Sequence, residues 1–151
     1  MNLDEFDLKI LRFVQADASL SADQLAEKIG LSRNACWRRL KRLETESIIK
    51  RKVALVDPES VELELSVFIL IKALGHEPDW LEKFKNAVTS MPEIIGAHRM
   101  SGELDYILRV RVQNVKSYDD FYQRLIARVP IADISASFVM EDLKDTTALP
   151  I

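Results

Sequence analysis

The stretch LSADQLAEKIGLSRNACWRRLKRLE, residues 20–44, constrains this chain more than any other. Ser21 followed three residues later by Gln24 is a capping box, so a helix opens here and turns Leu25 and Ile29 inward. Gly30 stops it, because a helix end in the left-handed region favours a residue without Cβ. After Leu31, Ser32 caps the next helix. Two helices joined by a turn of about three or four residues that contains glycine form a helix-turn-helix. Upstream, Asp4 caps a first helix whose apolar positions Phe6, Ile10, Phe13 and Val14 recur at helical spacing.

In the third helix Cys36, Leu40 and Leu43 fall at i, i+4 and i+7 and face the first two helices. At about 100° per residue, Asn34, Trp37, Arg38 and Lys41 then point the opposite way, with Arg33 and Arg42 on the flanks and Arg39 nearer the core boundary. Lys28 to Lys52 holds nine basic and two acidic residues, a local net of +7. An exposed cationic helix that follows a helix-turn-helix suits a DNA major groove, and the expected DNA contacts are Arg33, Asn34, Trp37, Arg38, Lys41 and Arg42. The bland alternatives are a merely solvated charged face and a Trp37 packed in a core. Cys36 reads as an inert core thiol. Arg51 and Lys52 are expected to begin a short strand or wing, where phosphate contact and solvation compete.

Charge divides the chain. Residues 1–52 carry 11 basic against 8 acidic side chains, a net of +3, and residues 53–151 carry 10 against 16, a net of −6. The junction is VALVDPESVELEL, where Asp57-Pro58 signals a turn. The domains are therefore expected at 1–52 and 65–151, with 53–64 as a linking strand. In the second, LSVFILIKA is a buried strand, and DWLEKFKNAV puts Leu81, Phe84 and Val88 on one helix face. IIGAHRM and YILRVRV flank a turn at Ser101-Gly102-Glu103. YDDFYQRL carries Tyr118, Phe121, Tyr122 and Leu125 at helical spacing, and SASFVMEDL is extended. The order βαββαβ describes a ferredoxin-like sheet with both helices on one face, and an α+β chain overall. The open face of such a sheet invites a second copy.

At 151 residues and 48% apolar side chains, the chain can bury one ordinary core or two small ones. No run approaches the ~18 apolar residues of a membrane helix, and the acidic start MNLDEFD is unlike a signal peptide, so a cytoplasmic location is expected. One cysteine, Cys36, excludes an internal disulfide, and with only His76 and His98 besides, no metal site or cofactor is expected.

DEFDLKILRFVQAD, LSADQLAEKIGLSRNACWRRLKRLETESIIK, VDPESVEL and HRMSGELDYILRVRV together resemble the Lrp/AsnC family of bacterial and archaeal regulators, over essentially the whole chain. The resemblance implies an N-terminal winged helix-turn-helix on double-stranded DNA and a C-terminal regulatory domain. It also implies dimers that assemble further, often into octamers, on the nucleoid, with a small effector, commonly an amino acid, bound between dimers. The effector positions implied are Gly102, Asp105 and Tyr106, where Gly102 lets backbone N–H groups approach a carboxylate and Asp105 takes an ammonium. Gly102 and Asp105 equally suit a hairpin turn with no ligand.

Two positions depart from the family pattern. Many relatives have glycine where Ser47 stands, so this helix end needs a costlier cap or a different turn. Relatives that bind amino acids often have threonines where Ile134 and Ala136 align, and alternation turns Ser135 and Ser137 to the opposite face. Hence the effector is more apolar, the pocket is rebuilt, or no effector binds and the protein is architectural. An enzyme is the remaining class, since some haem-pathway decarboxylases resemble this family. Against it, adjacent His98 and Arg99 in a strand face opposite ways and no other catalytic grouping is present.

Overall fold

The computed structural model describes residues 2–75 and 77–151, and His76 lies outside the described residues. Two compact units result, one running to Leu55 and taking in Lys144–Ile151, the other spanning Val56–Leu143.

The first unit holds three helices, α1 (Glu5–Ala16), α2 (Ala22–Ile29) and α3 (Arg33–Thr45). Both early helices open on reciprocal caps. Asp7 N–H donates to the Asp4 carboxylate at 3.0 Å and Asp4 N–H to the Asp7 carboxylate at 3.1 Å, while Ser21 and Gln24 exchange bonds of 2.8 and 3.3 Å. Gly30 ends α2 at φ +73°, and the Leu31 N–H closes the turn onto the Ala26 carbonyl. Ile10, Leu11, Leu25, Ala26, Ile29, Cys36 and Leu43 form the core, with Leu40 partly buried against it. Each large apolar side chain buried there contributes about 1.5–3 kcal/mol.

Arg51 and Lys52, expected to begin a short strand or wing, lie in a stretch, residues 50–57, that forms no strand. Extended backbone acquires strand hydrogen bonds only when another strand lies alongside. Lys144–Ile151, which the sequence reading assigns to the second domain, associates with the first unit instead. The Gln15 side-chain amide exchanges two hydrogen bonds with the Leu149 backbone, at 2.6 and 3.3 Å, and Arg12 donates to the Ile151 carbonyl.

The second unit is βαββαβ: β1 (Leu65–Ala73), α4 (Pro78–Ser90), β2 (Ile94–Arg99), β3 (Tyr106–Val112), α5 (Val115–Arg128) and β4 (Ile131–Phe138). Asp57 opens it, its carboxylate accepting the Ser60 N–H at 3.1 Å in a short 3-10 turn over Glu59–Val61. The strands lie in the order β2-β3-β1-β4 and every neighbouring pair is antiparallel, the ferredoxin-like arrangement. Val67, Ile69 and Ile71 of β1 stand opposite Val110, Leu108 and Tyr106 of β3, and these side chains meet α4 and α5 in one core. The other pleat of β1 shows Phe68, Leu70 and Lys72 on the face that no helix covers.

Helix α4 sits about one residue away from its expected register. Its buried positions are Trp80, Phe84 and Ala87, followed by Met91, and Leu81 and Val88 are only partly buried. Trp80 is the cause. Its indole donates Nε1–H to the Pro130 carbonyl at 2.6 Å and its ring stacks on Phe84 at 5.1 Å, so the largest side chain of the helix turns inward.

Candidate functional site

Helix α3 begins at Ser32, whose hydroxyl accepts the Ala35 N–H at 3.3 Å. Its inner face is closed by Cys36 and Leu43, both without exposed surface, and burial pushes the Cys36 thiol pKa up, which keeps it protonated and unreactive. On the outer face Asn34, Trp37, Arg38 and Lys41 are exposed, Trp37 by 52% of its surface. Trp37 therefore adds a flat aromatic ring with one N–H donor to the exposed cationic face.

The cations of α3 differ in how they are held. Arg33 pairs with Asp23 at 3.2 Å, and Lys41 with Glu44 at 3.1 Å. Glu44 is shared with Lys52, at 2.9 Å, and hydrogen bonds from Lys52 and then Lys41 hold its carboxyl below the usual range. Arg39 and Arg42 both reach back to Asp7 on α1. Arg38 makes no ion pair or hydrogen bond among the described residues, which leaves its guanidinium available to a phosphate or a guanine edge. Of the six expected contacts, five face solvent without being drawn inward. Arg42 is on the flank and turned onto Asp7, although its side chain remains 42% exposed. Sequence reasoning missed Asp7. Its proximity to α3 depends on how α1 crosses that helix, and only the negative charges at the start of α1 hinted at it.

At the other expected site, Gly102 adopts φ +115° in the β2–β3 turn, and no heavy atom beyond the glycine and its chain neighbours lies within 4 Å of where a Cβ would stand. Backbone conformation, and not crowding, selects glycine here. Asp105 is a turn former: its N–H donates to the Ile71 carbonyl, its carbonyl accepts the Met100 N–H, and its carboxylate accepts the Ala73 N–H at 2.8 Å. Tyr106 is buried between Trp80 and Phe84, with ring centroids 5.7 and 4.5 Å away. Across the sheet Tyr106, Ile71 and Ile134 form one row and Leu108, Ile69 and Ala136 the next. The five positions expected to meet an effector thus lie in the β2–β3 turn and in two adjacent rows of the sheet. Ile134 packs partly into the core, Ala136 is exposed, and Ser135 and Ser137 occupy the opposite pleat.

Beside Tyr106 a cleft of about 310 Å³ opens between α4 and β2. Phe84, Val88 and Ala97 supply apolar walls, and Lys85 and Arg99 stand at it as cations. No group of three or more His, Cys, Asp or Glu that could hold a metal ion occurs among the described residues, and no helix among them is long and apolar enough to cross a membrane.

Comparison with known proteins bears on both units. Residues 3–50 match the family model described as winged helix-turn-helix DNA-binding, and residues 66–149 match the Lrp/AsnC ligand binding domain. The chain is 49% identical over 150 residues to the DNA-binding transcriptional activator DecR of Escherichia coli, covering 99% of each chain. A crystal structure of an AsnC family transcriptional regulator from Agrobacterium tumefaciens superposes with a TM-score of 0.94 at 44% identity, over 98% of this chain and 97% of that one. A transcriptional regulator from Neisseria meningitidis, solved as a complex with L-Met, gives a TM-score of 0.94 at 35% identity, over 99% and 97%. With a recognition helix displayed as described, a ferredoxin-like second unit and these matches across both, the chain belongs to the Lrp/AsnC family of DNA-binding transcriptional regulators.

Proposed function

We propose that this regulator reads double-stranded DNA through Arg33, Asn34, Trp37, Arg38 and Lys41 of α3, whereas Arg42, the sixth residue expected there, is held on Asp7 and stands outside that set. On this reading an amino acid or related small metabolite modulates its binding, contacting the protein around Gly102, Asp105, Tyr106, Ile134 and Ala136. Two copies pair through the open sheet face, so that two α3 helices enter successive major grooves about one helical turn apart, and dimers assemble further, to octamers or similar. The protein acts in the cytoplasm on the nucleoid, and catalysis has no part in its role.

The observation that carries this reading is the outer face of α3, where Arg38 has no partner among the described residues and Trp37 is exposed. Arg38→Ala tests it in a salt titration of duplex binding. Loss of one phosphate or base contact lowers affinity and reduces the slope of log K against log salt by about 1. The circular-dichroism melt stays that of the parent. An unchanged affinity and slope would refute the assignment.

A second reading, an architectural protein without effector, is favoured by two specific observations. No hydroxyl stands at Ile134 or Ala136, and the Asp105 carboxylate is already engaged by the Ala73 N–H. A thermal-shift panel of the twenty amino acids separates the two. A ligand present at ~100 times its dissociation constant stabilises the folded state by ~2.7 kcal/mol, whereas a flat panel supports the architectural role.

A further inference from the structure

The charged pair at the start of α1, in DEFD, has no place in the DNA surface or the effector site, yet it holds two of the arginines of α3. Asp7 is 1% exposed. Its carboxylate accepts the Asp4 N–H at 3.1 Å and Arg39 at 2.9 Å, and it also accepts Arg42. Arg39 donates in addition to the Asp4 carboxylate at 2.7 Å and lies 5.6 Å from the centre of the Phe6 ring. Asp4 at the cap of α1, with Phe6 and Asp7 in its first turn, thus holds one guanidinium, and Asp7 grips a second.

A carboxylate removed from water is tolerated only while its charge partners stay in place. Arg39 and Arg42 are three residues apart on one flank of α3, so anchoring both at a single buried point opposes rotation of the helix about its own axis. A rotation of one residue, about 100°, would carry Arg38 and Trp37 off the outer face. The same contacts neutralise cations that an unclamped helix would offer to phosphate. We infer that Asp7 is a positioning residue for DNA binding, which sets the rotation of α3 and keeps Arg39 and Arg42 out of the DNA contact set. This rests on DNA recognition by α3.

The test uses the full-length chain and a duplex pool of random sequence, with affinity measured by fluorescence anisotropy from about 50 to 200 mM salt. Arg42→Gln keeps the parent's salt slope, while Arg38→Gln reduces it by about 1. Asp7→Asn releases a guanidinium, steepens the slope by about 1 and narrows the preference for duplexes that the parent enriches from the pool over the unselected pool. A purely structural Asp7 would lower the melting temperature and leave the slope alone, which would overturn the inference. So would an Arg42→Gln slope reduced as far as that of Arg38→Gln. If Asp7→Asn does not fold, the Arg42 and Arg38 variants decide. Absence of any binding by the parent would strike at DNA recognition itself, and binding by the parent with equal Arg42 and Arg38 slopes would strike at the clamp alone.

Discussion

Ser47 follows the end of α3 at φ +58°, a left-handed conformation that costs a residue with a Cβ roughly 1–2 kcal/mol. The turn keeps it because its N–H donates to the Glu44 carbonyl and because Ile48 and Ile49 both donate to Leu43, which carries Ile48 and Ile49 back against the helical core. Ser47→Gly is therefore expected to stabilise the first unit by about 1 kcal/mol, raising the midpoint of a thermal melt by a few degrees. A melting point equal to the parent's would mean that the added freedom of the unfolded glycine cancels the relieved strain. That this position needs an unusual cap could be read from the sequence, where the family resemblance implies a glycine. The clamp on Arg39 and Arg42 could not, because nothing local connects Asp7 to residues more than thirty positions away.

Among elements, an ion pair bridges α5 and the residue that precedes β2. Arg124 of α5 donates to Glu93, whose second carboxylate oxygen is buried without a hydrogen bond among the described residues. Burial alone would push the Glu93 carboxyl up, but hydrogen bonding from Arg124 and from its own backbone outweighs this and leaves it below its ordinary value of 4.5. A carboxyl depressed in the folded state contributes stability above its unfolded pKa and loses it as pH falls through the folded one. Thermal melts of the parent and Glu93→Gln should accordingly differ most at neutral pH, with the gap closing from about pH 4.5 downward. A gap of constant size across that range would assign the difference to packing. Helix α4 shows a similar limit on reading elements one at a time. Its apolar residues cover a broad arc, and the choice between Leu81/Val88 and Trp80/Ala87 as the inward pair was made by the Pro130 carbonyl, which comes from after α5.

For the molecule as a whole, the open sheet face is the strongest reason to expect self-association. Phe68 is 37% exposed, Leu70 and Ile107 stand side by side on adjacent strands, and Ile95 projects from an irregularity in β2. Leu70→Asp should convert the protein to a monomer in light scattering after gel filtration while its circular-dichroism spectrum is retained, because this side chain points away from α4 and α5. Persistence of the larger species would place the interface elsewhere. The helix-turn-helix and the βαββαβ order were determined by sequence alone. Caps at Asp4, Ser21 and Ser32, a left-handed stop at Gly30 and period-2 strands are local signals, each satisfied within a few residues. Tertiary structure alone decided which arginines of α3 remain outward, which face of α4 is buried, that Asp105 closes a turn, and that residues 144–151 return to the first unit. Each of those outcomes depends on a partner distant in sequence, and a buried charge or an indole N–H accepts whichever partner the packed chain brings within bonding distance.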